Sequence, residues 1–190
     1  MTKLENDHCE IEITIDNTHD TESSLSKKYD IVINVNDRSL CDYYKVYSIR
    51  IRLPFREYSV AMIGDYNCSD NNCAVIDNDI LTVLQGWEIT QFDIRTAQVT
   101  RTVKVDSWAP NFEIFRIKTG YLIYGETDIT LLNQDLEKQW SFMGRDIFVS
   151  PSDKNPFEIK SDRICIYDFE DNYYELDFQG NVIRCDVADN

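Results

Sequence analysis

The sequence predicts an all-β protein in which three β-meander repeats follow an N-terminal β-sheet. The first observation is a recurring short pattern: an apolar residue, two residues of any kind, a large apolar residue and then Asp or Asn. Its three copies end at Asp93, Asn133 and Asp177, which lie 40 and 44 residues apart. Such a period marks a repeat built from several strands. The second observation is the composition, with 11 Tyr and 9 Phe against 6 Gly and 4 Pro, because aromatic residues suit half-buried strands.

Alternating apolar and polar residues predict the strands of the N-terminal β region, residues 1–66. Apolar side chains occupy every second position from Cys9 to Ile15, which predicts a strand with one apolar face. There follow, in order, a predicted loop at 17–28, a strand at 31–35, a turn at 36–39, a strand from 47 that ends at Pro54, and a strand at 58–63. The polar stretch 64–72 is the predicted boundary. No segment shows a helical period, so no helix is predicted.

Residues 73–190 divide into three predicted β-meander repeats, at about 73–106, 112–150 and 156–185. Short strands with turn residues between them are typical of an all-β meander. The predicted strands are 73–76, 80–84, 88–94 and 99–105 in the first repeat; 112–118, 121–125, 128–133 and 138–142 in the second; and 157–160, 163–168, 173–178 and 182–185 in the third. The N-terminal region and the repeats form either two regions or one compact domain.

The end of the third strand in each repeat carries a motif that resembles a known family. The copies read Phe92-Asp93-Ile94-Arg95-Thr96-Ala97, Leu132-Asn133-Gln134-Asp135-Leu136-Glu137-Lys138-Gln139-Trp140 and Leu176-Asp177-Phe178-Gln179-Gly180. Residues 73–185 therefore resemble the blade repeats of β-propellers of the quinoprotein or WD40 type. There a Leu-Asp-type pair ends a strand before a tight turn. The Asp or Asn is expected to cap that turn, and the apolar residue before it to point into the core.

The number of blades stays open at this point. Propellers close with at least four blades, and three are visible in the sequence. Residues 1–66 either supply a diverged fourth blade of a small four-bladed propeller or form a separate sheet that caps an incomplete one. A propeller completed by another chain, and a barrel or sandwich that mimics the period, are further alternatives.

The net charge of −15, from 34 acidic and 19 basic residues, limits the classes of partner. It argues against nucleic acid and anionic membranes, which attract Lys and Arg, and it favours a basic protein partner. A strong charge also serves solubility alone. The N-terminus has no apolar signal segment and no apolar run reaches 18 residues, so a cytoplasmic protein without a membrane association is expected.

No catalytic or metal-binding motif stands out in the sequence. Cys68 and Cys73 form one close pair, whereas structural zinc needs four ligands. Residues 168–172 cluster oxygen ligands at alternate positions, but the glycine of a calcium loop does not follow, so an acidic turn is expected. The two histidines, His8 and His19, both precede residue 20, which removes the usual general base from most of the chain. The sequence predicts a non-enzymatic protein without a cofactor or metal.

Aromatic residues are the best candidates for contacts, because Trp and Tyr dominate interface hot spots. The candidate binding residues are Trp87, Trp108, Asp77, Asp79, Tyr173 and Tyr174. The first hypothesis is an acidic protein-binding module of the immunity or antitoxin type that blocks a basic enzyme. The second is a small-molecule or sugar-binding propeller that uses Trp87 and Trp108 beside Asp77 and Asp79. The third is a structural repeat that assembles with itself through open sheet edges. The oligomeric state is open.

Overall fold

The structure is a computed structural model that describes residues 1–16, 22–38, 44–65, 72–150 and 155–188. Its strands form four sheets. The N-terminal sheet contains β1 (Thr2–Asn6), β2 (Cys9–Asp16), β3 (Ile31–Ile33), β4 (Tyr44–Leu53) and β5 (Arg56–Asp65), in the order β1-β2-β4-β5-β3. Strand β3 runs parallel to β5, while β1, β2, β4 and β5 form an antiparallel meander.

The other three sheets are the predicted repeats, each an antiparallel four-stranded meander in sequence order. The first has β6 (Ala74–Asp77), β7 (Ile80–Gln85), β8 (Glu88–Asp93) and β9 (Gln98–Lys104). The second has β10 (Asn111–Ile117), β11 (Gly120–Gly125), β12 (Asp128–Leu132) and β13 (Lys138–Met143). The third has β14 (Phe157–Ile159), β15 (Ile164–Tyr167), β16 (Tyr173–Leu176) and β17 (Val182–Asp186). The predicted all-β fold of three meander repeats after an N-terminal sheet is confirmed.

Two elements differ from the sequence prediction. A helix, α1 (Glu22–Lys28), lies within the segment predicted as a loop. Its single apolar residue, Leu25, is fully buried against Val46 and Ala61, and seven residues are too few to show a helical period. Strand β1 was also missed, because only Thr2 and Leu4 turn inward along it. With β1 in place, the N-terminal sheet contains the same four-stranded meander as the repeats, interrupted by α1 and β3.

The core of the N-terminal sheet is shared with the first repeat. Alternate residues of β2 and β4, such as Ile11, Ile13 and Ile49, are buried on one face of the sheet. They belong to one apolar cluster with Leu81 and Phe92 of the first repeat. Burial of this kind contributes roughly 25 cal/mol for each Å² of apolar surface.

The chain forms two compact units, Met1–Val105 with Phe112–Ile114 and Asp106–Asn111 with Phe115–Asn190. The division predicted from the sequence, 1–66 and 73–190 with its three repeats, stays a prediction.

The repeat motif forms a capped turn that is followed by a β-bulge in all three copies. The extra residue lies on the fourth strand of the repeat, at Thr100, Gln139 or Ile183, and the strand register shifts at the residue before Asp93, Asn133 and Asp177. The side-chain Oδ1 of each then accepts two backbone N–H groups: those of Arg95 (2.8 Å) and Thr96 (2.9 Å), of Asp135 (2.9 Å) and Glu137 (2.9 Å), and of Gln179 (2.9 Å) and Asn181 (2.8 Å). The turn then passes through a positive φ at Ala97 (59°), Leu136 (58°) or Gly180 (84°). The large apolar residue of each copy is buried, as predicted.

Asn133 caps the turn of the second repeat in the way that Asp93 caps the turn of the first. We therefore expect Asp93→Asn to preserve the capped turn of the first repeat. Asp93→Ala removes the acceptor for two N–H groups and should lower the free energy of unfolding by about 1 kcal/mol. Urea denaturation of the two variants measures the difference. Equal stability of Asp93→Ala and the wild type would show that the turn does not need its cap.

Candidate functional site

The structure separates the first group of candidate binding residues. Asp77 and Asp79 flank the turn between β6 and β7, whereas Trp87 lies in the turn at the other end of β7. A strand of six residues places these ends about 20 Å apart. Asp79 is paired with Arg95 at 2.6 Å. Trp87 is half-buried, and its carbonyl accepts the N–H of Val105 at 2.7 Å. The combination of Trp87 with Asp77 and Asp79 that a sugar site would use does not form.

The two neighbouring tyrosines of β16 face opposite ways. Tyr173 is half-buried, its hydroxyl donates to Glu175 Oε1 at 2.7 Å, and its ring lies 4.7 Å from that of Tyr167. Tyr174 is only 4% exposed. Its hydroxyl donates to Asp168 Oδ2 at 2.8 Å and accepts the N–H of Arg145 at 3.1 Å. The Tyr174 hydroxyl therefore connects the loop that contains Arg145 to the loop that contains Asp168. A binding role for Tyr174 stays a prediction, and the burial of its side chain does not support it.

Trp108 is 87% exposed and belongs to the segment of the chain that connects β9 to β10. Its backbone N–H donates to Asp128 Oδ2 at 3.4 Å, and the hydroxyl of Thr127 donates to the same oxygen at 3.0 Å. The backbone under the indole is therefore held by a buried carboxylate, while the ring itself projects into solvent. Tryptophan is enriched among the residues that supply most of the binding energy of interfaces, so the role of Trp108 as a contact stays a prediction.

Four loops of the second unit join into one surface, which we call the loop face: residues 106–111, 126–128, 144–150 and 168–172. Backbone hydrogen bonds connect them in turn, from Glu126 N–H to Pro110 O (3.0 Å), from Phe148 N–H to Glu126 O (2.6 Å) and from Phe169 N–H to Ile147 O (2.8 Å). Each loop thus fixes its neighbour, and the side chains on them have defined relative positions.

The loop face is strongly acidic. Its four loops contain one basic residue, Arg145, and seven carboxylates: Asp106, Glu126, Asp128, Asp146, Asp168, Glu170 and Asp171. Asp128 and Asp168 are buried, which leaves five carboxylates at or near the surface. One of them, Asp106, is paired with Lys138 at 3.2 Å. Two exposed aromatic side chains, Trp108 and Phe169, stand among these charges.

Asp168 organises the last of the four loops. It is fully buried, and its Oδ1 accepts N–H groups from Glu170 (3.1 Å) and Asn172 (2.9 Å). Its Oδ2 accepts from the Asn172 amide (2.9 Å) and the Tyr174 hydroxyl (2.8 Å). Protein donors thus occupy both oxygens, and the carboxylate shapes an acidic turn, as expected. Asp168 and Asn172, which resemble metal ligands in the sequence, instead form the hydrogen bonds that stabilise this turn.

Sequence reasoning missed two exposed aromatic residues. Phe169 lies on the loop face, and its place inside an acidic cluster was the available signal. Phe55 is fully exposed at the tip of the hairpin between β4 and β5 in the first unit. The position of Phe55 directly after Pro54, between two predicted strands, also indicates exposure, because a side chain in a tight turn has no core to pack against.

The cysteines and histidines add no arrangement of ligands in the part of the chain that is described. Cys73 is buried, with its Sγ 3.3 Å from the Thr2 hydroxyl, while Cys68 and His19 lie outside the described residues. His8 lies in the turn after β1. Within the described residues no group of three or more His, Cys, Asp or Glu could hold a metal ion.

Two buried tyrosines should make the protein less stable in alkaline solution. Burial raises the pKa of Tyr58 to about 12 and that of Tyr174 to about 12, whereas tyrosine in an unfolded chain titrates near 10. Their contribution is fully present below about pH 10 and is lost as the pH rises towards about 12, because the unfolded chain ionises first.

Urea denaturation between pH 9 and 12 measures this loss, with phenolate absorbance as the titration signal. The double variant Tyr58→Phe, Tyr174→Phe should flatten the profile over that interval. A wild-type profile as flat as that of the variant would contradict the assignment.

Comparisons with known proteins find no related family and only distant structural likenesses. No protein-family model matches the sequence, and no curated protein matches it. Among solved structures, BamB from Moraxella catarrhalis is similar at 11% identity over 84% of this chain and 51% of its own, with a TM-score of 0.48. The Pan2 WD40 domain of Neurospora crassa is similar at 11% identity over 63% and 38%, with a TM-score of 0.47. Hsv2 of Kluyvelomyces marxianus is similar at 9% over 73% and 46%, with a TM-score of 0.45.

The chain thus spans about half or less of the length of these structures. The description of the repeats as blade-like rests on their four-stranded meanders. Likenesses at this level of similarity carry no argument about function. Within the described residues, no helix has the length and apolar content that crossing a membrane requires.

Proposed function

We propose that the chain is a non-enzymatic binding module whose loop face takes a basic protein partner. The single observation that carries this proposal is a largely exposed Trp108 on an anchored surface that has five carboxylates at or near the surface and one arginine. Carboxylates at that density attract cationic residues and speed association. Burial of an indole slows dissociation, because aromatic anchors supply most of the binding energy of an interface.

The finer form of the proposal is a blocker of the immunity or antitoxin type in the cytoplasm. Such a protein must meet its target quickly and then stay bound. A negatively charged face supports the first requirement and Trp108 with Phe169 supports the second. The basic partner is then an enzyme with a cationic active-site cleft, which the loop face covers.

Capture of the partner at two salt concentrations tests the proposal. The tagged protein is exposed to lysate of its own cell in low salt and in about 0.5 M salt, where screening reduces attraction between exposed charges. We expect one basic protein to be retained in low salt and lost in high salt. A partner that is acidic, or one retained equally at both salt concentrations, would contradict the role of the acidic face.

A matched pair of variants locates the contact. Glu170→Gln with Asp171→Asn removes two charges from the loop face, and Glu5→Gln with Asp7→Asn removes two exposed charges from the N-terminal hairpin. The first pair should slow association with the captured protein roughly tenfold, since steering depends on local charge. The second pair should leave the rate close to that of the wild type. Equal effects of the two pairs would show that only net charge matters.

A further inference from the structure

A short segment after β3, residues 34–38, is joined to the first repeat by polar side chains, and we call it the strap. Arg38 Nη2 lies 2.9 Å from Glu88 Oε1 and 3.4 Å from Asp65 Oδ2. Asn36 Nδ2 lies 2.8 Å and 2.9 Å from the two carboxylate oxygens of Glu88. Asp65 ends β5 and Glu88 begins β8. The strap therefore connects the N-terminal sheet to the first repeat, within the first unit of the chain.

The strap has a defined conformation that presents Arg38. The side chain of Asn34 bonds the backbone of Arg38 twice: its Oδ1 accepts the N–H at 2.8 Å, and its Nδ2 donates to the carbonyl at 2.9 Å. Asp37 has a positive φ of 51°, which Asp tolerates better than most residues. The guanidinium of Arg38 lies over the ring of Tyr44, 5.0 Å from its centroid. The backbone of Arg38 is thus fixed by Asn34, and its side chain rests on Tyr44.

Two carboxylates share one nitrogen of this guanidinium in a place with little water. The side chain of Arg38 is 14% exposed, and those of Asp65 and Glu88 are 15% exposed each. Arg38 Nη1 is buried and has no hydrogen-bond partner among the described residues. Lys104 lies opposite Glu88 across β8 and β9, but it is exposed, so that water screens its charge. Two carboxylates around one buried cation leave a net negative charge, which favours the uptake of a proton.

Asp65 is the carboxylate that takes this proton. Its contact with Arg38 is the longer of the two, and Glu88 has Asn36 as an additional donor. Burial raises the pKa of Asp65, and the charge of Glu88 adds to this effect, while Arg38 and Lys104 oppose it.

The raised pKa links the strap to pH. With the strap open, Asp65 lies in water and titrates near the ordinary value of about 3.9. The closed strap therefore binds a proton more tightly than the open strap does. The contribution of this proton to closure is fully present below about pH 3.9 and is lost as the pH rises through the raised pKa of Asp65.

We propose that the strap is a pH-sensitive closure, which a proton on Asp65 holds against the end of β5 and the start of β8 and which loosens when that proton leaves. With Asp65 protonated, Arg38 and Glu88 remain as one neutral ion pair. With Asp65 ionised, the surplus charge is relieved when the strap lifts and water reaches the carboxylates. Trp87 precedes Glu88 in the chain, so the strap acts beside one of the candidate binding residues of the first unit.

Hydrogen exchange of the purified full chain between pH 5 and pH 8, followed by mass spectrometry, tests this closure. The Arg38 N–H is bonded to Asn34 in the closed strap, so protection of peptides that contain residues 34–38 reports opening once the intrinsic pH dependence of exchange is removed. Wild-type protection should fall about fivefold as the pH rises over this interval. Asp65→Asn should keep its protection high and independent of pH, because the amide imitates the protonated acid.

Two further variants separate the strap from general effects of charge. Arg38→Gln should lower protection of the strap at every pH, because it removes the cation that both carboxylates contact. Asp79→Asn removes the same charge from an exposed pair with Arg95 and should leave the pH profile of the strap unchanged. Circular dichroism confirms that each variant is folded.

A carbon-13 NMR titration of the Asp65 carboxyl in the wild type gives a second readout, which needs no variant to fold. Its midpoint should lie above that of an ordinary Asp. A midpoint at or below the ordinary value would overturn the proposal. So would wild-type protection that stays constant or increases with pH, or an Asp65→Asn profile that follows the wild type.

Discussion

Asp168→Ala should lower the free energy of unfolding by about 3 kcal/mol or more, because it leaves several buried donors without an acceptor. The wild-type carboxylate is fully buried and accepts from Glu170, from both nitrogens of Asn172 and from Tyr174. Urea denaturation of the protein measures the loss. The loop at 168–172 should also become accessible to proteases, because its shape depends on this one side chain.

The neighbouring Glu170→Ala is the matched control, since it removes the same charge two positions away from an exposed side chain. Its effect should stay within about 0.5 kcal/mol. The free energy of unfolding of Asp168→Asn should lie between those of Asp168→Ala and Glu170→Ala. The amide keeps one acceptor oxygen, but its NH₂ group then faces groups that are themselves donors. Equal stabilities of Asp168→Ala and Glu170→Ala would show that the buried carboxylate does not hold the turn.

Trp108→Ala should weaken binding of the captured basic partner about 100-fold, as is usual for a tryptophan at the centre of an interface. The change should lie in the dissociation rate, because the ring contributes no charge to the encounter. Surface plasmon resonance at fixed salt separates the two rates. The stability of the free protein should change by less than about 0.5 kcal/mol, since the side chain is largely exposed.

Phe55→Ala is the control for Trp108→Ala, because it removes another largely exposed aromatic ring, from the first unit. It should leave both rate constants unchanged. Loss of affinity in Phe55→Ala with normal binding in Trp108→Ala would move the interface from the loop face to the hairpin between β4 and β5.

The repeats could be predicted from sequence because their signal is local. The capping Asp or Asn, the positive φ and the bulge all lie within nine residues of each other, as at 92–100. Strand β1 and helix α1 could not be predicted, since each has only one or two inward residues and owes its place to packing. Thr2 and Leu25 are buried by segments distant in sequence.

The candidate site shows the same limit. Adjacent residues of a strand point to opposite faces, so the sequence indicates that one of Tyr173 and Tyr174 is buried without indicating which. The loop face arises from hydrogen bonds such as Glu126 to Pro110 and Phe169 to Ile147, which join segments 16 and 22 residues apart. Composition indicated an acidic binding surface, and only the structure brings Trp108 and the carboxylates of three further loops together.

The most direct test of the acidic loop face as a binding surface is a side-by-side capture from low-salt lysate of the protein's own cell. The baits are the wild type, Trp108→Ala with Phe169→Ala, and Phe55→Ala. We predict that the same basic protein is retained by the wild type and by Phe55→Ala and is absent from the loop-face variant. Retention of that protein by all three baits, or failure of the wild type to retain any basic protein, would contradict the proposed function.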